Sequence, residues 1–233
     1  LLDENYHPSN RTYRYNYFYD NCTTRARDKI EESLNGKLCF PEQKAALSYR
    51  EIIHLFTKGS QWNELGIDLC LGAEADKPID ERKQMFAPFF LMDYARDAVI
   101  QRIDGTVPFV LNESKVVDVE SEEASTSFPL SPLTCSLLLL ALTCLVEWLA
   151  YVKKKVMWGW DILLFGSQGI GGCIIAFLFF FSVHPTVDSN WMLVVFNPIP
   201  LFYLPFMIYK ALKRKRDAYH WMNVCCLTIF IVL

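Results

Sequence analysis

Three long apolar segments in the second half of the chain constrain its fold more than any other feature. They cover residues 133–151, 162–183 and 191–209. A helix rises about 1.5 Å per residue, so each segment reaches about 28 Å or more, close to the roughly 30 Å of a hydrocarbon core. Because backbone groups in lipid must satisfy their own hydrogen bonds, we expect membrane-spanning helices. A fourth apolar segment, 219–233, is too short to cross, and we expect it to be truncated.

The basic residues predict how these helices are oriented. One cluster of basic residues lies between the first and second segments, and another lies between the third and fourth, whereas the loop 184–190 contains neither Lys nor Arg. The first cluster consists of Lys153, Lys154 and Lys155, and the second of Lys210, Lys213, Arg214, Lys215 and Arg216. Under the positive-inside rule both basic loops are cytoplasmic, so the loop 184–190 and residues 1–132 lie outside.

Charge divides the chain at the same place. Residues 1–131 carry 15 Lys and Arg against 22 Asp and Glu, a net charge of −7, whereas residues 132–233 carry 8 against 4, a net charge of +4. This division excludes a single soluble domain, a disordered chain and a nucleic-acid binder with a broad basic face. We predict an outer domain at 1–119, an acidic linker at 120–132 and a membrane domain at 133–233.

Two features inside the membrane segments have competing interpretations. Gly166, Gly169, Gly171 and Gly172 superficially resemble a phosphate-binding loop, but no strand precedes them, and close helix packing is favoured. Glu147 is either functional or a side chain that extends to the cytoplasmic surface, and the second is favoured.

In the outer domain, the sequence predicts a helix that begins at a cysteine. Alternating tyrosines at 13–19 favour a strand or an extended segment, and the residues at 20–24 are rich in helix-capping types. Residues 25–34 favour a helix that stops at Asn35-Gly36. At four-residue steps, Cys22, Ala26, Ile30 and Leu34 share one face, which we expect to anchor the helix.

The position of Cys22 indicates a chemical role. Free amide hydrogens and the positive end of the helix dipole stabilise a thiolate, and the same amides can donate to an oxyanion. Asp20 and Asn21 are close enough in sequence to orient a partner. Three interpretations stay open: a nucleophile, a buried structural cysteine, and one half of a disulfide.

The remaining cysteines favour a free Cys22. Five of the eight lie in the apolar segments, where they are small packing residues. In an oxidising compartment, Cys39 and Cys70 can pair and leave Cys22 free. The cysteines show no metal-ligand spacing, and we predict neither a metal nor a cofactor.

No histidine in the chain is a strong candidate for the base that a thiol nucleophile needs. His7 lies in a polar terminal stretch, and His220 is cytoplasmic by the predicted topology. His54 follows a capping box at 48–51 and points away from the predicted apolar face of Ile52, Leu55 and Phe56. The chain has no export signal, so we expect a fragment lacking both ends, with the base upstream.

Further along the outer domain, two more elements are predicted. Residues 84–103 favour an amphipathic helix that Pro88 interrupts. Residues 106–111 and 115–119 favour a short hairpin around Asn112.

The motif Tyr-Asp-Asn-Cys-Thr-Thr at 19–24, within 13–28, resembles the Lnb-type lipoprotein N-acyltransferases of diderm bacteria. The resemblance continues at 72–79 and 84–88, and at His184-Pro185 and Asn190-Trp191. It implies a partial α+β domain of papain-like (permuted NlpC/P60) type on the periplasmic side, followed by a polytopic helical domain in the bacterial inner membrane.

The resemblance also implies an activity. Such enzymes move an acyl chain from a phospholipid, through a cysteine thioester, to the N-terminal amine of diacylated lipoproteins. Cys22 would be the nucleophile, with Asp20, Asn21 and Thr23 in supporting positions. The family's histidine lies in an upstream segment that no position here matches. The implied partners are a phospholipid donor, a lipoprotein acceptor and the membrane, without nucleic acid.

A group of polar and aromatic residues lies at the predicted outer ends of the spans. It is interpreted equally well as a binding site for an amphiphilic substrate and as an ordinary belt of interfacial residues. It consists of His184, Asp188, Asn190, Trp191 and Asn197. Two alternative functions remain open, namely a membrane-tethered cysteine peptidase or amidase of the cell envelope and a non-catalytic membrane scaffold.

Overall fold

The fold is taken from a computed structural model that describes residues 2–42, 45–117, 128–184, 186–213, 215, 218–219, 221–222, 224–225 and 228. The chain divides into a polar unit, Leu1–Phe56 with Asp76–Glu123, and a membrane unit, Thr57–Ala75 with Ala124–Leu233. Residues Thr57–Ala75 therefore pack with the membrane helices.

The helices are α1 (Leu2–Tyr6), α2 (Cys22–Ser33), α3 (Tyr49–Thr57), α4 (Gln61–Cys70), α5 (Glu81–Gln84), α6 (Pro88–Arg96), α7 (Pro132–Lys153), α8 (Trp158–Phe181), α9 (Met192–Val195) and α10 (Ile199–Leu212), with a 3-10 turn at Ala73–Asp76.

A small antiparallel sheet closes the polar unit, in the order β1 (Lys37–Cys39), β2 (Val99–Arg102) and β3 (Gly105–Pro108). Leu38 lies opposite Ile100, which lies opposite Val107. A two-residue turn joins β2 to β3, and Gly105 adopts a φ of 137° there, a conformation that suits glycine. The described residues thus contain a three-stranded sheet next to helices.

Two sequence predictions in this region are wrong. The segment 84–103, predicted as one helix, contains the last residue of α5, then α6 and then β2. The interruption predicted at Pro88 is confirmed, because Pro88 takes the first position of α6, where its missing N–H costs nothing. β-branched Val99 and Ile100 then pair with β1 rather than continue a helix. The predicted hairpin around Asn112 is absent from residues 106–117, because residues 105–108 form β3 and pair with β2, which precedes them in the chain. Residues 118–119 lie outside the described part.

Three aromatic rings form the core of the polar unit. Phe18, Tyr49 and Phe86 are all buried, and their ring centroids lie 4.3–5.3 Å apart. The predicted capping box of α3 is confirmed, since Ser48 Oγ accepts from the Glu51 N–H at 3.2 Å and Glu51 Oε2 accepts from the Ser48 N–H at 2.7 Å. The predicted apolar face of α3 is only partly right. Tyr49, Ile52 and Ile53 are buried, whereas Leu55 and Phe56 are exposed.

The three predicted spans are confirmed in the membrane unit. Pro132–Lys153, Trp158–Phe181 and Met192–Leu212 are long and apolar enough to cross a bilayer. The third is broken into α9 and α10 at residues 196–198. Much of the predicted fourth segment lies outside the described residues, but Tyr219 at its start is buried against Tyr203 and Phe165.

The glycines of α8 allow the third span to pack closely, as predicted. A Cβ built on Gly169 would lie 2.5 Å from Leu201 Cβ, and one on Gly172 would overlap the backbone carbonyl of Phe196. A Cβ on Gly171 would make only an ordinary contact, 3.6 Å from Phe196 Cδ1. Small residues therefore bring the two backbones together.

The segment that follows α4 is bonded to the loop between α8 and α9. The Gly72 N–H donates to Thr186 O at 2.6 Å, and the Ala73 N–H donates to Ser189 O at 3.1 Å. Side-chain contact occurs too, because the Glu74 N–H donates to Ser189 Oγ at 3.0 Å. Residues 72–74 and the loop 184–190 therefore lie on the same side of the membrane, as the predicted topology requires.

The overlap at Gly172 predicts that an alanine at this position destabilises the folded chain. Replacing Gly172→Ala should lower the stability of the chain in detergent by about 1–3 kcal/mol, because the added methyl meets backbone rather than a flexible side chain. The matched variant Gly171→Ala should unfold close to the parent temperature. Thermal unfolding followed by circular dichroism makes the comparison, and equal losses in the two variants would contradict the packing described.

Candidate functional site

The start of α2 is fixed by one buried amide side chain. Asn21 is the N-cap, and its Oδ1 accepts the Thr24 N–H at 2.9 Å. In return, the Asn21 N–H donates to Thr24 Oγ1 at 2.9 Å, which completes a capping box. The capping-rich sequence predicted a helix start here, and α2 begins at Cys22.

The same amide ties the helix start to distant parts of the polar unit. Asn21 Nδ2 donates to the carbonyl oxygens of Tyr17 and Phe86, both at 2.9 Å. Asn21 is only 4% exposed, so these bonds satisfy donors that would otherwise be buried at a cost. The supporting role predicted for Asn21 is thus structural in this geometry, since its side chain positions the first turn of α2.

Cys22 is a free thiol, exposed at the first position of α2. Its exposure differs from the interpretation as a buried structural cysteine. The prediction that Cys22, Ala26, Ile30 and Leu34 anchor the helix is wrong, since the first three are exposed and Leu34 is half-buried.

A more polar face of α2 packs against the polar unit instead. It consists of Thr23, Thr24 and Arg27, all buried. Arg27 Nη1 donates to the carbonyl of Arg82 at 2.8 Å, and Arg27 Nε donates to Asp28. Hydrogen bonds compensate the burial of these polar groups, and the thiol-bearing face is left open.

Asp20 is paired with Arg25 rather than left available for a histidine. Arg25 donates through Nε and Nη2 to the two carboxylate oxygens at 2.7 and 2.9 Å. The hydrogen bond from Arg25 is the main cause that lowers the pKa of Asp20. The Arg25 guanidinium also stacks over the Tyr13 ring, 3.5 Å from its centroid. Arg25 was not among the site residues predicted from the sequence, although its charge, which is opposite to that of Asp20, could have indicated the ion pair.

The tyrosine-rich segment before Cys22 forms a turn. Asn16 and Asp20 exchange two backbone hydrogen bonds at 3.0 Å on either side of the turn at 17–19. Of the two alternatives predicted for 13–19, a strand or an extended segment, the strand is absent. Tyr15 lies in the electrostatic neighbourhood of Cys22; burial and then the neighbouring thiol raise its pKa. The Tyr15 ring lies 6.2 Å from that of Tyr13, so two aromatic rings lie in this part of the polar unit.

The candidates at the outer ends of the spans separate into two kinds. Asn190 is buried and joins two segments, since its Nδ2 donates to Leu69 O at 2.8 Å and its Oδ1 accepts the Met192 N–H at 2.9 Å. Asn197 is also buried and bridges Val194 O to the Ile199 N–H. His184 is half-buried, whereas Asp188 and Trp191 are exposed. The two asparagines thus shape the backbone, and only the other three present side chains to their surroundings.

The remaining cysteines and histidines are dispersed over both units. Cys39 and Cys70 are free, so the structure contains no bridge between them. His7 Nδ1 is bonded to Ser9 Oγ at 2.9 Å, and His54 lies half-buried on α3. His220 lies outside the described residues.

The cap predicts that α2 depends on Asn21. Replacing Asn21→Ala should destabilise the chain by about 2–3 kcal/mol, because the cap is lost and the carbonyls of Tyr17 and Phe86 lose their donor. Asn35→Ala, at an exposed position beyond the same helix, is the matched control and should change little. Thermal unfolding in detergent measures both; similar values would show that the cap is not needed.

The pair of Asp20 and Arg25 predicts a pH dependence. The pKa of Asp20 is lower in the folded chain, so its contribution to stability is present above the unfolded pKa of about 3.9 and is lost as the pH falls through the folded value. Both side chains are about 40% exposed, which limits the contribution to about 1 kcal/mol or less.

Asp20→Asn should therefore unfold at a lower temperature than the parent at neutral pH, and the difference should shrink as the pH falls below about 3.9, the unfolded pKa of an aspartate. Asp104→Asn, in the exposed β2–β3 turn, is the control. A difference that persists unchanged into acid would show that the carboxylate charge is irrelevant.

Comparison with known proteins adds information on the membrane unit. Residues 122–233 match the family model described as the Lnb transmembrane domain. No curated protein and no solved structure matches the chain significantly. The match spans 112 of the 233 residues and includes the three apolar spans, so this part of the chain is similar to that domain.

Proposed function

We propose that this protein is a lipoprotein N-acyltransferase of the bacterial inner membrane that uses Cys22 as its nucleophile on the periplasmic side. The observation that carries the proposal is the free, exposed thiol at the first position of a capped helix. The match of residues 122–233 to the Lnb transmembrane domain supports a membrane lipid as the acyl donor. In this proposal the polar unit is part of a papain-like domain.

The helix start supplies the electrostatics of the reaction. The first N–H groups of a helix have no acceptor within it, and Asn21 Oδ1 already engages that of Thr24. The N–H groups of Cys22 and Thr23 are then the donors for an oxyanion that forms at the acyl carbon. This gives Thr23 a role through its backbone, while its side chain is buried.

The first half-reaction loads the enzyme. The Cys22 thiolate attacks the ester carbonyl of a phospholipid, a C–S bond forms, and the oxyanion collapses with cleavage of the C–O bond to glycerol. The lysophospholipid leaves as an alcohol and takes up the proton that the thiol gave to the base. In keeping with the resemblance, the base of the proposal is a histidine supplied from outside the described residues.

The second half-reaction transfers the acyl group from the Cys22 thioester to the acceptor. The free α-amine of the N-terminal cysteine of a diacylated lipoprotein attacks the thioester carbonyl. A C–N bond forms, the C–S bond breaks, and the amine proton passes through the base while the thiolate is regenerated. The donor and acceptor are both anchored in the membrane, which suits an enzyme anchored there by three spans.

Asp20 and Arg25 position the surroundings of the thiol in this mechanism. Their bidentate pair holds the guanidinium over Tyr13, whose ring lies 6.2 Å from that of Tyr15. We assign the exposed rings of Tyr13, Tyr15 and Tyr17 to contact with the acyl donor. His184, Asp188 and Trp191 are assigned to the lipid side.

The test replaces the sulfur. In cells that depend on this protein, Cys22→Ser should reduce N-acylation of lipoproteins by about 10⁴-fold or more, since one atom carries the acyl group in both half-reactions. Cys39→Ser, also a free cysteine of the polar unit, is the matched control and should retain activity. Mass spectrometry of lipoprotein N-terminal peptides quantifies the amide-linked chain.

The intermediate is tested separately. Incubation with phospholipid should add one acyl mass to the parent protein, removable by hydroxylamine, and none to Cys22→Ser. Undiminished lipoprotein acylation in the Cys22 variant would overturn the proposal. Release of cell-wall peptides without an acyl-enzyme would favour the peptidase or amidase instead.

A further inference from the structure

Helix α4 has two chemically distinct faces. At about 100° per residue, one arc of about 100° carries Trp62, Leu65, Gly66 and Leu69, and a neighbouring arc of about 60° carries Gln61, Glu64 and Asp68. The rest of the circumference carries Asn63, Ile67 and Cys70. The polar arc is engaged, since Thr57 Oγ1 lies 3.3 Å from Glu64 Oε2. The helix therefore has one apolar side and one acidic side.

Both ends of α4 are bonded to the points where membrane spans begin. At its start, Trp62 Nε1 donates to Leu130 O at 2.8 Å, directly before Ser131, the N-cap of α7. The Trp62 ring also lies 5.8 Å from that of Phe128. At its end, Leu69 O accepts from Asn190 Nδ2 at 2.8 Å, two residues before α9.

These two attachments define the orientation of α4 relative to the bilayer. The spans that start at Pro132 and at Met192 are separated by α8, which crosses in the opposite direction, so both begin at the same membrane face. A helix attached to both starting points, through residues about 10 Å apart along its axis, must run along that face rather than through the bilayer.

The apolar arc is only partly covered by the described part of the chain. A Cβ built on Gly66 would have no described atom within 4 Å, and no residue of α4 is buried. Trp62 is 42% exposed and Leu65 is 37% exposed. At the level where spans enter lipid, the medium that covers an apolar helical face is the interfacial region of the bilayer.

We infer that α4 is an interfacial helix whose apolar arc binds the lipid of the same membrane face from which α7 and α9 enter. The Trp62 indole, with its N–H bonded to a span-starting carbonyl, has the position and chemistry of an interfacial anchor. The inference concerns the membrane unit and stands independently of the reaction proposed for Cys22.

A photo-crosslinking probe on each face distinguishes lipid from protein contact. Benzoyl-phenylalanine is placed at Gly66, where the added side chain meets open space, or at Glu64 on the polar arc, about 160° around the helix from Gly66. The full chain is reconstituted in phosphatidylethanolamine and phosphatidylglycerol vesicles. A third probe at Ile103, exposed in the β2–β3 turn, reports contact with the aqueous phase. Circular dichroism confirms that each variant is folded, and mass spectrometry identifies the adducts.

The expected result is a phospholipid adduct at position 66 and its loss at positions 64 and 103. Equal lipid adducts at 66 and 64 would overturn the inference, because α4 would then have no preferred face. Adducts at position 66 with protein, or with water alone, would also overturn it, since the apolar arc would be covered by another chain segment or face the solvent.

Discussion

The geometry around Cys22 depends on one buried amide. Asn21 makes hydrogen bonds to Thr24, Tyr17 and Phe86, and these fix the start of α2, the turn before it and a loop 65 residues further along the chain. A buried side chain with all its polar atoms bonded specifies one arrangement, because any alternative leaves donors or acceptors without partners. The exposed thiol is thus positioned by the residue beside it.

The sequence predicted best where the physics is local or set by the bilayer. The three spans follow from the thickness of a hydrocarbon core, and the start of α2 follows from the capping residues at 20–24. The capping box of α3 is similarly local. Each of these features is decided within four residues or by a length that every membrane imposes.

Predictions failed where partners distant in sequence decided the outcome. The apolar stripe of α2 remained exposed because Arg27 bonds to the carbonyl of Arg82, a partner that no spacing within α2 can indicate. Val99 and Ile100 entered a strand because β1, some 60 residues earlier, pairs with them. The attachment of Thr57–Ala75 to the membrane helices similarly rests on backbone hydrogen bonds to the loop 184–190. Such bonds are hard to predict from the sequence, because almost every residue type can form them.

The break in the third span ties the inside of the bilayer to its surface. At the break, α9 and α10 interrupt their own hydrogen bonding, and Gln168 of α8 donates to the carbonyl of Val195 while Gly172 accommodates Phe196. Asn190, just before α9, in turn bonds to Leu69 at the end of α4. Side chains of α8 are thereby connected through the break and Asn190 to the end of α4, so we expect a substitution that shifts the break to disturb that end as well.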